Sequence, residues 1–275
     1  MSLRVINGAS TEAYRATQYF VRRATPPSLY YKLRTFCRQY PSLFLPFSSW
    51  RWRRWRRKYV PENTHYEPAA PFPLSKNTEI VIEGFPRTAN TFAHIAFKLA
   101  QDEYINIGHH THAAAQVIAA VRRRVPTIVL IRDPEEAIIS YIVGEFDPKI
   151  TMRQVLQDYI AFYKPILPHR NEFVLAPFRK VVTSYGEIIG KVNNKYGTCF
   201  NEFKHTEKNI KQCFDLIDQG FEKSFGSIKE NVISRPSDSR HIDRNLLEKE
   251  FRSDKLSRLR DEAYNLYNTL MQSIN

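Results

Sequence analysis

The sequence predicts an α/β fold in which a central parallel sheet lies between layers of helices. Residues 79–92, EIVIEGFPRTANTF, run from a β-branched strand through a tight turn into a helix, and residues 127–131, TIVLI, form a strand that also leads into a helix. A strand at residues 173–176 is likewise followed by a helix at residues 185–196. In such a three-layer α/β/α arrangement, binding sites lie at the carboxyl ends of the strands.

Hydrophobic periodicity and the positions of proline and glycine predict the remaining elements. A further strand is predicted at residues 104–108. Helices are predicted at residues 10–23, 28–38, 91–101, 113–124, 135–146, 152–163, 207–221 and 245–271, so the C-terminal part is helical. Residues 61–73 are rich in proline and are predicted to form a linker. The chain therefore divides into a basic, aromatic N-terminal helical arm with its linker, residues 1–75, and an α/β domain, residues 76–275.

The positive charge of the chain is concentrated in that arm. The 275 residues carry a formal net charge of +13. Residues 1–75 contain 13 Lys or Arg and 3 acidic residues, a net charge of +10, which leaves +3 for the α/β domain. The basic character therefore says little about the chemistry of the domain.

Cysteine spacing and hydropathy predict a cytoplasmic protein. Cys37, Cys199 and Cys213 are too far apart for a disulfide framework or a CxxC metal site, which favours a reducing compartment. No apolar run approaches the roughly 20 residues of a membrane span, and the first residues lack the apolar core of a signal peptide. We expect a soluble protein whose arm can make peripheral contact with a membrane.

Residues 43–58 combine an apolar aromatic stretch with three tryptophans and six basic residues. Tryptophan beside arginine suits the interface of an anionic membrane, which is the preferred partner of this stretch. The same composition suits packing on the rest of the protein, an acidic polysaccharide or, least favoured, a nucleic acid. These alternatives remain open at the level of the sequence.

The turn between the first strand and its helix is a predicted anion site. Its backbone N–H groups lack helical partners and lie at the positive end of the helix dipole. Arg87 adds a permanent charge, Thr88 and Thr91 offer hydroxyls, and Asn90 or Thr91 is predicted to cap the helix. An ordinary turn with a solvated arginine is the alternative.

A second basic residue, Arg132, follows the strand at residues 127–131 and precedes a helix with Pro134 in its first turn. Ser140 lies eight residues beyond Arg132, about two helical turns along. Two basic residues, each between the end of a strand and the start of a helix on one edge of the sheet, predict a ligand with two separated anionic groups. A solvated Ser140 is the alternative reading of that residue.

A nucleoside-triphosphate site is disfavoured. A Walker loop needs GxxxxGK[ST], with a lysine for the terminal phosphates. The first turn has neither the second glycine nor that lysine, and the strand at residues 127–131 leads into arginine where a carboxylate near the metal is expected. Kinase and ATPase activities are therefore disfavoured.

Two segments resemble the signatures of PAPS-dependent sulfotransferases. FPRTANTF is similar to their phosphosulfate-binding loop, commonly Tyr/Phe-Pro-Lys-Ser-Gly-Thr-Thr-Trp. TIVLIRDPEEAIISYI resembles their second signature, in which a strand, an arginine and a helix with a serine follow one another. The resemblance covers residues 80–146 and extends in outline to residue 240. It implies a P-loop NTPase-like sulfotransferase architecture for the α/β domain.

Three positions depart from the first signature, because Arg87 replaces lysine, Ala89 replaces glycine and Phe92 replaces tryptophan. Golgi carbohydrate sulfotransferases similarly have an arginine in the loop and an Arg-Asp-Pro second signature. The resemblance therefore implies a carbohydrate or polysaccharide acceptor.

The resemblance also implies which residues bind the donor, PAPS, and its product, PAP. The 5′-phosphosulfate is expected to contact the first loop, at Arg87, Thr88, Ala89, Asn90 and Thr91. Arg132 and Ser140 are expected to hold the 3′-phosphate, and Phe92 is expected to stack near the adenine. Arg235 and Arg240 stand where the family has a basic loop that closes over the 3′-phosphate. Solvated surface positions are the alternative for these two arginines.

Residues 109–112, HHTH, supply the candidate base. Histidine accepts a proton near neutral pH, and the family places its base at a similar Thr-His. His112 is the first candidate, His110 the second and His109 the third, whereas His94 is predicted to be structural. Zinc binding by the clustered histidines is the alternative, although no distant carboxylate or cysteine is identified to complete a ligand set.

The predicted function is transfer of a sulfuryl group from PAPS to a hydroxyl or amine of the acceptor. In the expected metal-free in-line displacement, His112 takes the acceptor proton while Arg87 and the loop amides stabilise charge on departing PAP. The acceptor pocket is expected to involve residues 149–166 and the N-terminal segment. The alternative is a catalytically degenerate nucleotide- or anion-binding scaffold of the same fold, associated with a membrane or an acidic polymer.

Overall fold

The computed structural model describes residues 27–59, 72–144, 150–225 and 244–273, together with residues 227, 230, 233 and 235. The predicted helix at residues 10–23 and most of the predicted linker lie outside these residues. Within them the protein is mostly helical around a small central sheet.

Four strands form the sheet in the described part of the chain, and all of them are parallel. They are β1 (Ile80–Gly84), β2 (Ile107–His109), β3 (Thr127–Ile131) and β4 (Val174–Pro177), in the order β2-β1-β3-β4. In the register, Ile82 pairs with His109 on one side and Ile128 on the other. The predicted α/β class with a parallel sheet is therefore confirmed, although β2 begins three residues later than predicted.

Ten helices are present among the described residues. They are α1 (Pro27–Cys37), α2 (Pro41–Tyr59), α3 (Asn90–Ala100), α4 (Ala114–Arg122), α5 (Pro134–Val143), α6 (Met152–Ile166), α7 (Phe178–Tyr196), α8 (Glu207–Phe225), α9 (Arg244–Phe251) and α10 (Ser257–Gln272). Pro134 occupies the first turn of α5, as predicted, and Asp133 Oδ1 accepts a hydrogen bond from Glu136 N over 3.2 Å.

Helices cover both faces of the sheet, because alternate side chains of each strand point to opposite faces. Val129 and Ile131 of β3 join a hydrophobic cluster with residues of α4, α5, α6 and α10. Ile128 and Leu130 join a second cluster with residues of α3 and α7. All four side chains are fully buried, and burial of each stabilises the fold by roughly 1.5 to 3 kcal/mol.

The helices differ from the prediction at three places in the chain, and at one of them, residues 41–59, no helix is predicted. The tail predicted as one helix at residues 245–271 is divided into α9 and α10, and Arg260 Nη1 donates to the carbonyl oxygens of Phe251 and Ser253 at the break. Helix α7 begins at Phe178 rather than at residue 185, with a non-helical Ser184 inside it. Residues 41–59 form α2 although Pro46 lies within the helix.

The N-terminal helices α1 and α2 pack on the α/β body. The backbone N–H of Ala115 donates to the carbonyl of Arg38 over 2.9 Å, and Leu45 joins a small buried cluster with Leu74 and Val81. Among the described helices, none has both the length and the apolar character needed to cross a bilayer.

Candidate functional site

The turn between β1 and α3, residues 85–89, is here called the β1 loop, and it packs closely on β3. A Cβ on Gly84 would lie 2.5 Å from Thr88 Oγ1 and 2.8 Å from the carbonyl oxygen of Leu130, so only glycine fits there. Arg87 and Ala89 have φ angles of 69° and 70°, a region that costs an L-residue about 1 to 2 kcal/mol. Backbone strain of this kind clusters at functional sites.

Buried side chains hold the β1 loop together from within. Thr88 Oγ1 and Asn90 Nδ2 donate to the carbonyl of Phe85 over 2.7 and 2.9 Å. The predicted cap by Asn90 or Thr91 is wrong, because Asn90 is the first residue of α3 and its amide is turned toward Phe85. Ala89 precedes the helix without a side-chain cap, so the first N–H groups of α3 remain suited to an anion.

Arg87 extends from the β1 loop to the end of α5. Its Nε donates to Ser140 Oγ over 3.1 Å. A Cβ built on Gly144 would lie 3.1 Å from Arg87 Cζ, which places the guanidinium against the C-terminus of α5, where the helix dipole favours a cation. The structure thus brings together Arg87 and Ser140, two residues that the sequence assigns to the same site.

Arg132 joins the same group from the end of β3. Its Nη1 donates to the backbone carbonyl of Arg87 over 3.2 Å, and its guanidinium lies 4.1 Å from the ring centroid of Phe178. Its Nε and Nη2 donate to Glu136 Oε2 over 3.1 and 2.8 Å. Three of the five guanidinium N–H groups are used in these bonds, so two remain for a ligand. The position of its backbone is fixed by Tyr159, whose hydroxyl donates to the Arg132 carbonyl over 2.9 Å.

Glu83, a fully buried carboxylate of β1, organises the segment that carries the histidines. It accepts hydrogen bonds from Thr111 N (2.6 Å), Thr111 Oγ1 (2.8 Å), His112 N (3.0 Å) and Gln116 Nε2 (3.0 Å). Desolvation outweighs these donors and raises the pKa of Glu83 from its ordinary 4.5 to about 7. On the other side of the segment, Arg38 donates to the Thr111 carbonyl over 2.7 Å.

His112 is a neutral imidazole whose proton lies on Nδ1. Its Nδ1 lies 2.8 Å from the carbonyl oxygen of Gly84, which can only accept, so Nδ1 carries the proton and Nε2 keeps its lone pair. Its φ angle of 49° is left-handed, and about one fifth of its side chain remains exposed. Burial, followed by the nearby His110, lowers the pKa of His112 to about 3, which keeps the imidazole neutral near pH 7.

His110 lies beside the start of α3, where its Nε2 is 3.2 Å from Thr91 Oγ1. Together with His94 and His109 it places one ring nitrogen from each residue within 4.8 Å of the others. The His94 and His109 rings are stacked, with centroids 3.8 Å apart and 21° between their planes. Because imidazole lone pairs lie in the ring plane, stacked rings do not direct both nitrogens at one ion. Metal binding here would require the rings to rotate.

Several residues that the sequence assigns to the donor site are buried in the core, paired with carboxylates or outside the described residues. Phe92 is only 4% exposed and packs among Phe203, Phe214 and other core residues, so its burial speaks against stacking on an adenine. Arg235 is paired with Asp218 and Glu230 over 2.7 and 2.9 Å, and these carboxylates raise its pKa. Arg240 lies outside the described residues.

A cleft opens beside His112 between α1, the β1 loop and α6. Its lining residues are Thr35, Arg38, Phe85, Pro86, His112, Ala114, Asp158, Ala161 and Phe162. They come in part from residues 149–166 and from the N-terminal segment, the two regions from which the sequence predicts an acceptor pocket.

Three residues of the site were not identified from the sequence. For Glu83 the sequence contains one signal, because a carboxylate lies in an otherwise apolar strand. For Arg38 and Glu136 the sequence contains no such signal, because an arginine in a basic arm and a glutamate in the first turn of a helix are both common.

The chain was also compared with known proteins. No protein-family model matches it, and no curated protein is significantly similar to it. Arg87, Arg132 and Ser140 are joined by direct hydrogen bonds, and His112 contacts the end of β1 at the Gly84 carbonyl.

Proposed function

We propose that this protein is a PAPS-dependent sulfotransferase with a P-loop-like architecture. The observation that carries the proposal is the hydrogen bond between Arg132 Nη1 and the Arg87 carbonyl, with Ser140 attached to Arg87. Two basic strand ends thereby lie side by side at the carboxyl edge of a parallel sheet, where such folds bind ligands. A donor with two separated anionic groups suits this pair.

In the proposed complex the β1 loop and the N-terminus of α3 hold the 5′-phosphosulfate. Backbone N–H groups at the helix start and the Arg87 guanidinium supply the positive potential. Arg132 and Ser140 hold the 3′-phosphate, through the two remaining N–H groups of the guanidinium and the serine hydroxyl.

His112 then acts as the general base. Its Nε2 takes the proton of the acceptor hydroxyl, or amine, as the acceptor oxygen or nitrogen forms a bond to sulfur. The bond from sulfur to the phosphate oxygen breaks at the same time, and its electron pair leaves with PAP. Arg87 and the loop amides stabilise the negative charge that grows on that oxygen, so the protein itself supplies the positive groups that the leaving PAP requires.

The acceptor is proposed to be a carbohydrate or polysaccharide, one hydroxyl of which approaches His112 through the narrow cleft beside it. Two of the side chains that line the cleft, Thr35 on α1 and Asp158 on α6, hydrogen-bond to each other and so fix the wall of the cleft. Phe85 and Phe162, which also border the cleft, are only 2% and 3% exposed, so they close its inner end.

A catalytically inactive anion-binding scaffold is the second candidate, and one observation favours it. The Arg87 guanidinium is engaged by Ser140 and the end of α5, rather than lying open in the loop. Such a scaffold would bind PAP or PAPS but would not cleave PAPS.

Incubation of the purified chain with PAPS and a library of glycans distinguishes the two. A sulfotransferase releases PAP only in the presence of an acceptor, and the acceptor gains the mass of one sulfuryl group. PAP binding without turnover across the library would support the scaffold, and absence of any PAP binding would overturn both.

A further inference from the structure

An exposed apolar stripe runs along α1 and α2, away from the site. It consists of seven large side chains that are between 45% and 57% exposed, and we call it the apolar stripe. Its members are Leu29, Leu33, Phe36, Tyr40, Leu43, Phe47 and Trp50. They make up seven of the ten exposed large hydrophobic residues in the described chain. Concentration of this kind marks an interaction surface rather than scattered surface residues.

The stripe occupies one face of each helix. Its members follow one another at alternating intervals of four and three residues. At 100° per residue, Leu29, Leu33 and Phe36 fall within an arc of about 60° on the helical wheel of α1, and so do Leu43, Phe47 and Trp50 on that of α2. Tyr40 lies in the short turn between the helices, and its ring centroid is 4.8 Å from that of Phe36. Tyr40 therefore connects the two apolar faces.

The opposite face of the helices is fixed to the α/β body. Tyr31, Arg34 and Thr35 all hydrogen-bond to the carboxylate of Asp158 in α6. Farther along, Leu45 is buried in a cluster that includes residues of β1 and α4. The stripe is thus presented outward on elements whose inner face is anchored.

The segment that carries the stripe contains charges of one sign only. Residues 27–59 contain nine Lys or Arg and no acidic residue. The Arg51 guanidinium lies 5.9 Å from the Phe47 ring centroid, and that of Arg54 lies 5.7 Å from the Trp50 ring. Aromatic rings with cations directly beside them suit the depth at which lipid headgroups meet acyl chains.

We propose that the apolar stripe docks the protein on the surface of an anionic lipid bilayer. Leucine and phenylalanine would enter the acyl boundary while the flanking arginines meet anionic headgroups. Leu29, Leu33 and Leu43 have no stacking or hydrogen-bonding role toward a nucleic acid or a glycan. Because residues 27–59 carry no acidic side chain, a second copy of the chain would offer the cations of this segment no partner of opposite charge, which disfavours self-pairing along the stripe.

The proposal revises the surface predicted from the sequence at residues 43–58. The contact extends back to Leu29 in α1. Trp52 does not belong to it, because its ring packs edge-on against Phe72 with centroids 4.5 Å apart.

Co-sedimentation of the full chain with vesicles tests the proposal. We expect the wild-type protein to bind vesicles of phosphatidylcholine with a minority of phosphatidylglycerol at least tenfold more tightly than phosphatidylcholine alone. Leu33→Ser/Phe47→Ser should lower the partition coefficient on the anionic vesicles at least tenfold. Leu246→Ser, at a 61% exposed leucine of α9 outside the stripe, should change it less than twofold.

A charge variant provides an independent readout. Arg51→Glu/Arg54→Glu should remove the preference for anionic vesicles, and thermal melting would check that each variant is folded. Failure of the wild-type chain to bind anionic vesicles overturns the proposal. Equal vesicle binding by the stripe variant and Leu246→Ser also overturns it. The proposal is likewise overturned if the wild-type chain is a dimer in sedimentation velocity and only the stripe variant is a monomer, because a second copy then covers the stripe. Binding to heparin-agarose that matches vesicle binding and survives the stripe variant would indicate an acidic polymer instead.

Discussion

Arg132 Nη1 donates a hydrogen bond to the backbone carbonyl of Arg87 over 3.2 Å and so joins the ends of two neighbouring strands. The carbonyl it engages belongs to a residue with a φ angle of 69°, so the contact supports a strained turn. The strand ends are far apart in sequence but adjacent in the sheet. The Arg132 guanidinium therefore lies against the backbone of the loop that carries Arg87.

The close approach of Gly84 to β3 gives a first prediction. Gly84→Ala would place a Cβ 2.8 Å from both the Cβ and the backbone carbonyl oxygen of Leu130, and neither atom can turn away. We expect the free energy of unfolding in urea to fall by about 1 to 3 kcal/mol and PAP binding to weaken as the β1 loop shifts.

Gly220→Ala is the matched control, because nothing lies within 4 Å of a Cβ at that helical position. It should leave stability unchanged or raise it by up to about 1 kcal/mol. Equal stability of Gly84→Ala and wild type would show that the β1 loop does not depend on this packing.

Glu83 gives a prediction for the pH dependence of stability. Its pKa in the folded protein, about 7, lies above the ordinary 4.5 that applies to the unfolded chain. The contribution of this group is therefore complete below pH 4.5 and is lost as the pH rises through 7. At 1.36 kcal/mol per pKa unit the difference amounts to about 3 kcal/mol.

Glu83→Gln removes this ionisation. The unfolding free energy of wild type minus that of the variant should decrease by about 3 kcal/mol between pH 4.5 and pH 8 in urea titrations. Glu103→Gln, at an exposed glutamate, is the control for the loss of one carboxylate from the chain. Parallel curves for wild type and Glu83→Gln would contradict the raised pKa.

His112→Ala tests the general base. Loss of a positioned base should reduce kcat/KM by about a hundredfold or more, while PAP affinity in calorimetry changes little. His110→Ala should have a smaller effect, because His110 Nε2 already interacts with Thr91. Full activity of His112→Ala would rule out His112 as the base. Because its pKa is lowered to about 3, protonation of His112 should not reduce kcat between pH 8 and pH 5.

Glu136 competes with a phosphate for Arg132. The side chain of Glu136 is 47% exposed and forms an i,i+4 pair of the kind that contributes about 0.5 kcal/mol. Glu136→Gln should therefore strengthen PAP binding roughly threefold, since it also removes a negative charge near the ligand. Glu135→Gln is the control, because it removes the same charge from the same helical turn but pairs with Arg252. Weaker PAP binding by Glu136→Gln than by Glu135→Gln would place the phosphate elsewhere.

The sheet and the pairing of its basic ends could be predicted from local pattern. The run TIVLI forms β3 with the predicted bounds, and Arg132 follows it at the edge where the parallel strands end. Hydrophobic runs and the rule for parallel strands are enough for this step. The contact of Arg87 with Ser140 follows from the same topology, because their elements are neighbours in the fold.

Other features depend on contacts that no local pattern reports. The Asn90 amide turns into the β1 loop instead of capping α3, because the carbonyl of Phe85 lies within its reach. Phe92 faces Phe203, which is distant in sequence, so its burial could not be read from the loop motif. Asp158 fixes α1 through three side chains from an arm that composition alone describes only as basic.

Calorimetric titration of PAP into the wild-type chain and Arg132→Ala tests the central claim most directly. A charge-assisted hydrogen bond contributes about 1.5 to 3 kcal/mol, so Arg132→Ala should weaken PAP binding by about tenfold to a hundredfold. Arg123→Ala, at an exposed arginine after α4, should leave the affinity unchanged. Equal affinities of Arg132→Ala and Arg123→Ala, or no PAP binding by the wild-type chain, would contradict the claim that the two strand ends hold one bis-phosphorylated donor.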